Sequence, residues 1–196
     1  MTVDTFMRLK FHLYFLLLGF CLLLSYSSVY AQTTSEAAWQ VLETKYTIIR
    51  YKTWEDLKKF NRQVDYSPGS WGLKGLFGLT GSDNLSDELP KKMDALYERV
   101  QEILDMRRRM TRVSINVYQN KAQLHAAFGE IFKSTCPVRA WYMYENNTIY
   151  LNATDVQEGI LAHEMAHSII DHYLLVRPPK ATAEILARYV DAHLFE

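Results

Sequence analysis

A five-residue segment, His163-Glu164-Met165-Ala166-His167, has the residue types and spacing of a zinc-binding motif. Histidines four positions apart lie on one face of a helix, where both ring nitrogens can bind a single zinc ion at about 2.0–2.1 Å. The glutamate between them is the expected general base, which takes a proton from a metal-bound water. The alternative interpretation is a pair of core histidines held by hydrogen bonds. We favour the metal site because both histidines fall on a stripe of apolar residues, Val156, Ile160, Ile170 and Leu174.

A catalytic zinc ion normally has three protein ligands and a water molecule in the fourth position, so the chain should supply one more donor. Glu184 is our first choice, because it follows the histidines after one short, proline-containing connection. Asp171, His172 and Asp191 are the competing donors. Asp171 lies a further turn from His167, and a single straight helix cannot easily place three consecutive turns around one ion.

Two helices are predicted to carry these residues. Thr154 and Gln157 have the spacing of a capping box, which predicts a helix from about residue 155 to residue 175. Pro178 and Pro179 end that helix, and a second helical pattern runs from residue 179 to residue 194.

Strand and helix patterns alternate through the preceding chain, which predicts an α+β fold with a small mixed sheet. The predicted elements are a strand at 46–51, a helix opened by Thr53 with Asp56 three residues later, a helix capped by Ser86 or Asp87 with Pro90 in its first turn, a strand at 113–118, a helix through 124–132, and a hairpin of strands 140–144 and 148–153.

Glycine stands at every third position from Gly69 to Gly81. The segment lacks the length and proline content of collagen and the spacing of a phosphate-binding loop. We predict that residues 69–82 form a flexible loop, either a plain connector or a flap that folds its apolar side chains over a cleft.

Composition excludes several classes of protein. A chain of 196 residues with 48% hydrophobic content suits one domain, and its 22 basic and 22 acidic residues leave no net charge to attract nucleic acid. The basic cluster at Arg107–Arg109 with Arg112 is interpreted as a solvated connection. After removal of the N-terminus Cys136 is the remaining cysteine, which excludes an internal disulfide and a cysteine-based zinc site.

The N-terminus has the pattern of a secretory signal peptide. Arg8 and Lys10 precede an apolar run from Phe11 to Leu24, and Val29-Tyr30-Ala31 supplies small residues at the cleavage positions. We therefore predict a signal peptide at 1–31 and a mature domain at 32–196, exported to the periplasm or secreted by a bacterium, without stable membrane insertion after cleavage. A retained signal anchor is the alternative, but the apolar run is short for a bilayer span.

The segments His163–His167 and Glu184–Tyr189 together resemble the gluzincins, zinc peptidases in which a glutamate on a second helix completes a site begun by His-Glu-x-x-His. Ile185 stands where many members have glycine, and Arg188 stands where the thermolysin-like members have aspartate. A metzincin is disfavoured, since its longer motif requires glycine and histidine where Ile170 and Tyr173 stand. The order of the upstream elements is similar to a small zincin or peptidase-MA-like domain.

The resemblance implies a single zincin-like peptidase domain that binds one Zn²⁺ through His163, His167 and Glu184, with a peptide or protein as its substrate. Glu164 would take the proton from the zinc-bound water and pass it to the leaving amine. Tyr189, His193 or His172 would stabilise the oxyanion, Asp191 would orient a ligand imidazole, and the strand at 148–152 would be the sheet edge that aligns the substrate.

The alternative is a non-catalytic or latent zincin-fold protein that binds a peptide or partner in the cell envelope. Larger gluzincins line the far side of the cleft with a second subdomain, so regulation by a partner or a propeptide-like segment is also expected. An intact Glu164 favours the enzyme, because a structural zinc site needs no general base.

Overall fold

The computed structural model describes residues 38–64, 66 and 85–196. The predicted signal peptide at 1–31 and the glycine-rich loop at 69–82 lie outside the described residues. The elements in chain order are β1 (Gln40–Glu43), β2 (Thr47–Tyr51), α1 (Trp54–Gln63), α2 (Leu85–Ile103), β3 (Val113–Tyr118), α3 (Lys121–Phe132), β4 (Ala140–Met143), a 3-10 turn (Tyr144–Asn146), β5 (Thr148–Asn152), α4 (Glu158–Tyr173) and α5 (Lys180–His193). The predicted α+β class is confirmed.

The five strands form one mixed sheet in the order β1-β2-β3-β5-β4. The three central strands β2, β3 and β5 are parallel, and the outer strands β1 and β4 pair antiparallel to their neighbours. Val113, Ile115 and Val117 alternate with half-buried residues along β3, as the sequence pattern predicts for a strand with one fully buried face. All residues of β5 are buried, because this strand is covered on both faces.

Local hydrogen bonds explain where two of the helices begin. The hydroxyl of Thr53 accepts a hydrogen bond from the Asp56 backbone N–H at 3.2 Å, which confirms the predicted start of α1. Asn120 caps α3 in the same way by accepting from the Gln123 backbone N–H at 3.0 Å. Strand β1 was not predicted from the sequence, because its Gln-Val-Leu-Glu stretch is mostly exposed and has no strong apolar pattern.

The predicted cap of α2 at Ser86 or Asp87 is wrong. The helix already includes Leu85, and Pro90 lies in its second turn rather than its first. Leu85 and Leu89 are both buried in the core one turn apart, so packing extends the helix towards its N-terminus. Pro90 removes only one hydrogen bond close to the helix start, which the structure tolerates there.

The predicted capping box of α4 is also wrong. The backbone N–H and the hydroxyl of Thr154 both donate to Asn152 Oδ1, at 3.0 and 2.8 Å. Because these bonds engage Thr154 in a turn with Asn152, Thr154 does not cap the helix. Helix α4 begins at Glu158, and its N-cap residue, Gln157, makes no side-chain capping bond. The helix also ends at Tyr173, before the residue predicted, because Leu174 is already extended.

The predicted sheet edge at residues 148–152 needs a correction as well. Strand β5 lies between β3 and β4, so the edge next to α4 is β4. The predicted hairpin of β4 and β5 is present. Strand β4 pairs with one edge of β5 and β3 pairs with the other, so β4 is the outer strand. No helix among the described residues has the length and apolar character needed to cross a membrane.

Candidate metal centre

The two helices that carry the predicted metal ligands pack against each other, and α4 also packs on β4. Small buried residues, Ala183 and Ala187 on α5 and Ala162 and Ala166 on α4, allow the helices to approach closely. The six-residue connection from Leu174 to Pro179 separates them in sequence. His163 and His167 therefore lie opposite the first half of α5, where Glu184 is located.

Nitrogen and oxygen atoms of His163, His167 and Glu184 converge on one point. The two Nε2 atoms are 3.2 Å apart, His163 Nε2 is 3.7 Å from Glu184 Oε1, and His167 Nε2 is 3.5 Å from Glu184 Oε2. Two ligands that bind zinc tetrahedrally at about 2.0–2.1 Å are about 3.3 Å apart. The two imidazole nitrogens are therefore spaced as in a tetrahedral zinc site, and the carboxylate of Glu184 is close enough to both to be the third ligand.

The protonation of His167 and of Glu184 also suits a cation. Burial, and then the neighbouring His163, lower the pKa of His167, so its imidazole is neutral at pH 7 and has a lone pair to donate. Burial opposes ionisation of Glu184, but Arg188 and the two imidazoles lower its pKa overall. Arg188 Nε donates to Glu184 Oε1 at 3.0 Å and so helps to fix the carboxylate.

Glu164 lies on α4 and is buried on the side of the helix that faces β4, with 9% of its surface exposed. Burial raises the pKa of this carboxyl to about 7, while the backbone N–H of Tyr142 opposes the shift and Glu184 adds to it. A carboxyl group that titrates near neutral pH can both take up and release a proton under physiological conditions.

The competing donors have other partners. Asp171 accepts a hydrogen bond from Arg177 Nε at 3.0 Å, and His172 Nε2 lies 3.1 Å from the Tyr142 hydroxyl. Within the described part of the chain, His163, His167 and Glu184 are the group of three such donors whose ligand atoms lie within 4.8 Å of one another. Asp191 shares a face of α5 with Glu184, but its carboxylate lies over Gly159 in the first turn of α4.

Tyr189 and His193 are not placed with this cluster. At about 100° per residue, they lie about 140° and 180° around α5 from Glu184. The exposed ring of Tyr189 stacks on His193 at 3.9 Å, and His193 Nδ1 lies 2.8 Å from the Tyr189 carbonyl oxygen. The structure therefore gives neither residue contact with the cluster, contrary to the role expected from the resemblance.

A polar network beside Glu164 was not predicted from the sequence. Asn147 Oδ1 accepts hydrogen bonds from Ser168 Oγ at 2.7 Å and from the Tyr142 hydroxyl at 3.2 Å. It joins the β4–β5 turn to α4, next to the strand whose backbone N–H faces Glu164. No sequence signal marks these residues as neighbours, because the contacts link separate elements.

The arginine cluster after α2 lies apart from the metal ligands and lines a cavity of about 1170 Å³. Its members contact other parts of the protein: Arg107 pairs with Glu102 at 3.0 Å, Arg112 with Glu43 at 2.6 Å, and Arg108 donates to the His172 carbonyl oxygen at 2.8 Å. These contacts give the cluster a structural role beyond that of a solvated connection.

Comparisons of the chain with protein-family models, with curated proteins and with solved structures give no match. A functional assignment therefore depends on the geometry and chemistry of the cluster.

Proposed function

We propose that this protein is a zinc-dependent metallopeptidase of the gluzincin kind. His163, His167 and Glu184 hold one Zn²⁺, and Glu164 is the general base. The observation that carries the proposal is a cluster of donors beside a buried glutamate: the Nε2 atoms of His163 and His167 are 3.2 Å apart, and the two carboxylate oxygens of Glu184 lie 3.7 and 3.5 Å from them.

A bound zinc ion would polarise the scissile carbonyl and lower the pKa of its water to about 7. In that site Glu164 would take the proton of the attacking water and pass it to the leaving nitrogen. Its raised pKa matches this task, because a base that titrates near the working pH releases the proton again. The fixed Glu184 carboxylate and the neutral His167 keep the ligands in the ionisation states that a cation requires.

Three donors and a buried carboxyl favour catalysis over a structural metal. Structural zinc sites usually have four protein ligands, whereas the described residues bring three together here. A carboxyl group with no functional role at the position of Glu164 would only lower the stability of the fold, because burial disfavours its charged form. Both features are expected of a site that keeps one position for water or substrate.

A peptide is the substrate that the surroundings favour. Strand β4 is an edge strand next to α4, and an extended peptide can pair with such an edge through its backbone. Action outside the cytoplasm follows from the predicted signal peptide and belongs to the same proposal. The second candidate is a peptide-binding protein without catalysis, which would use the same edge but would not need Glu164.

The first experiment is elemental analysis of zinc in the protein without residues 1–31, beside Glu184→Ala. We expect about one zinc ion per chain in the parent and much less in the variant, because the site loses one of three ligands. A peptide library then identifies a cleaved sequence, with Glu164→Gln as the matched inactive control. A folded, zinc-supplemented parent without zinc would contradict the proposal, and zinc binding without any cleavage would favour the binding protein.

A further inference from the structure

Two basic residues flank Glu184 on the same face of α5. Lys180 lies one turn before it and Arg188 one turn after it. Side chains four residues apart on a helix have their Cβ atoms about 5–6 Å apart, so both cations stand next to the third metal ligand. The positive charge of Lys180 also acts on the imidazole of His167, whose pKa it helps to lower.

The neighbouring cations are already engaged, whereas Lys180 is not. Arg188 pairs with Glu184 at 3.0 Å, and Arg177 in the connection pairs with Asp171 at 3.0 Å and covers the ring of Tyr144 at 4.3 Å. Among residues 38–64, 66 and 85–196, no acidic side chain forms an ion pair with the exposed Lys180. An ammonium group without an acidic partner therefore lies one helical turn from the third proposed ligand, Glu184.

We infer that Lys180 determines substrate specificity by binding a carboxylate of the peptide, so that the enzyme prefers substrates with an acidic side chain or a free C-terminus near the cleaved bond. This inference rests on the proposed peptidase function. Carboxylates are the anionic groups of an unmodified peptide, and an unpaired cation beside the reacting centre attracts them over several ångströms. The two sources of the carboxylate share the same chemistry at Lys180.

The test uses protein expressed from the full-length sequence and a neutral, C-terminally amidated peptide that it cleaves. Matched peptides carry glutamate in place of glutamine at successive positions around the cleaved bond, or a free C-terminus in place of the amide. We expect kcat/KM to rise about fivefold for at least one glutamate position or for the free acid, a typical upper effect of one exposed ion pair. The preference should shrink in 0.5 M NaCl because salt screens exposed charges.

The variants assign this preference to one side chain. Lys180→Met should remove the preference without changing zinc content or cleavage of the neutral peptide, and Lys180→Arg should keep most of it. Lys58→Met, which removes a charge from an exposed position on α1, is the matched control and should keep the preference unchanged.

The outcomes separate this inference from the proposed function. Cleavage of the neutral peptide without any carboxylate preference, or a preference that survives in Lys180→Met, would overturn the role of Lys180 and leave the peptidase intact. Zinc-loaded protein that cleaves no peptide would contradict the peptidase, and the inference with it.

Discussion

At the scale of single residues, the proposed metal ligands and the proposed general base have separable tasks. We expect His163→Ala or His167→Ala to lose zinc, because either change leaves two of the three donors. Glu164→Gln should retain zinc and lower kcat by about 10²- to 10⁴-fold, the usual contribution of a general base. Zinc content and peptide hydrolysis measured on the same samples test this, and a Glu164→Gln variant with near-normal turnover would assign the base elsewhere.

The burial of Glu164 predicts a pH dependence of folding in the metal-free protein. Its pKa is about 7 in the folded protein and near 4.5 when the chain unfolds. The cost of ionising the buried group is absent below pH 4.5, grows as the pH rises, and is complete above pH 7, when it reaches about 3 kcal/mol. Glu164→Gln should therefore raise the free energy of unfolding at pH 8 but not at pH 4.5, as measured by urea unfolding with a chelator present. Equal effects at both pH values would show that the carboxyl is not desolvated.

Asn147 is a second residue with a testable role, in the turn between β4 and β5. Its φ of 47° lies in the left-handed region, and its side-chain oxygen joins Ser168 and Tyr142. We expect Asn147→Ala to lower the free energy of unfolding by about 2 kcal/mol, through lost hydrogen bonds and backbone strain. Asn147→Gly should recover the strain part, about 1 kcal/mol. Urea unfolding of both variants separates the contribution of the hydrogen bonds from that of backbone strain. Equal losses of stability in Asn147→Ala and Asn147→Gly would mean that backbone strain contributes nothing.

At the scale of elements, α4 and α5 are in tight contact at Gly159. A Cβ atom at this position would collide with the carboxylate of Asp191. Alanine is otherwise the better helix former by about 1 kcal/mol, so Gly159→Ala should stabilise the Asp191→Ala background by more than it stabilises the wild type. Unfolding of the four proteins in this double-mutant cycle measures the coupling, and an additive cycle would contradict the close approach.

The sequence predicted those parts of the site that depend on local spacing. His163 and His167 share one helical turn, and Glu184 follows one connection later, so their convergence required only two packed helices. Tyr189 and His193 were chosen for their proximity to Glu184 in sequence, but the helical phase turns them to the opposite side of α5. The edge strand was misassigned because strand order depends on pairings between distant segments.

The starts of the helices show a similar limit. Thr154 and Gln157 fit the pattern of a capping box, yet the N–H and the hydroxyl of Thr154 both donate to the side chain of Asn152 instead. Two local hydrogen-bonding patterns competed for the same residue, and spacing alone does not decide between them. The helix itself was predicted correctly because its apolar stripe extends over several turns.

At the scale of the whole molecule, metal binding should stabilise the fold. At a zinc concentration 100 times its Kd, the free energy of unfolding rises by about 2.7 kcal/mol, which for a chain of this size raises Tm by roughly 5–10 °C. We expect EDTA to lower Tm by that amount in the parent and to have no effect on His163→Ala. Calorimetry with and without chelator tests this, and a chelator effect that persists in His163→Ala would place the metal elsewhere.

All three metal donors belong to one helical hairpin, between residues 163 and 184. Bringing them together closes a short loop, so the entropic cost of assembling the site is small compared with that of pairing the distant strands. Under the proposed function, the hairpin would therefore bind its zinc ion early in folding, before the sheet is complete. A protein that folds outside the cell would then take up its metal from that compartment while it folds.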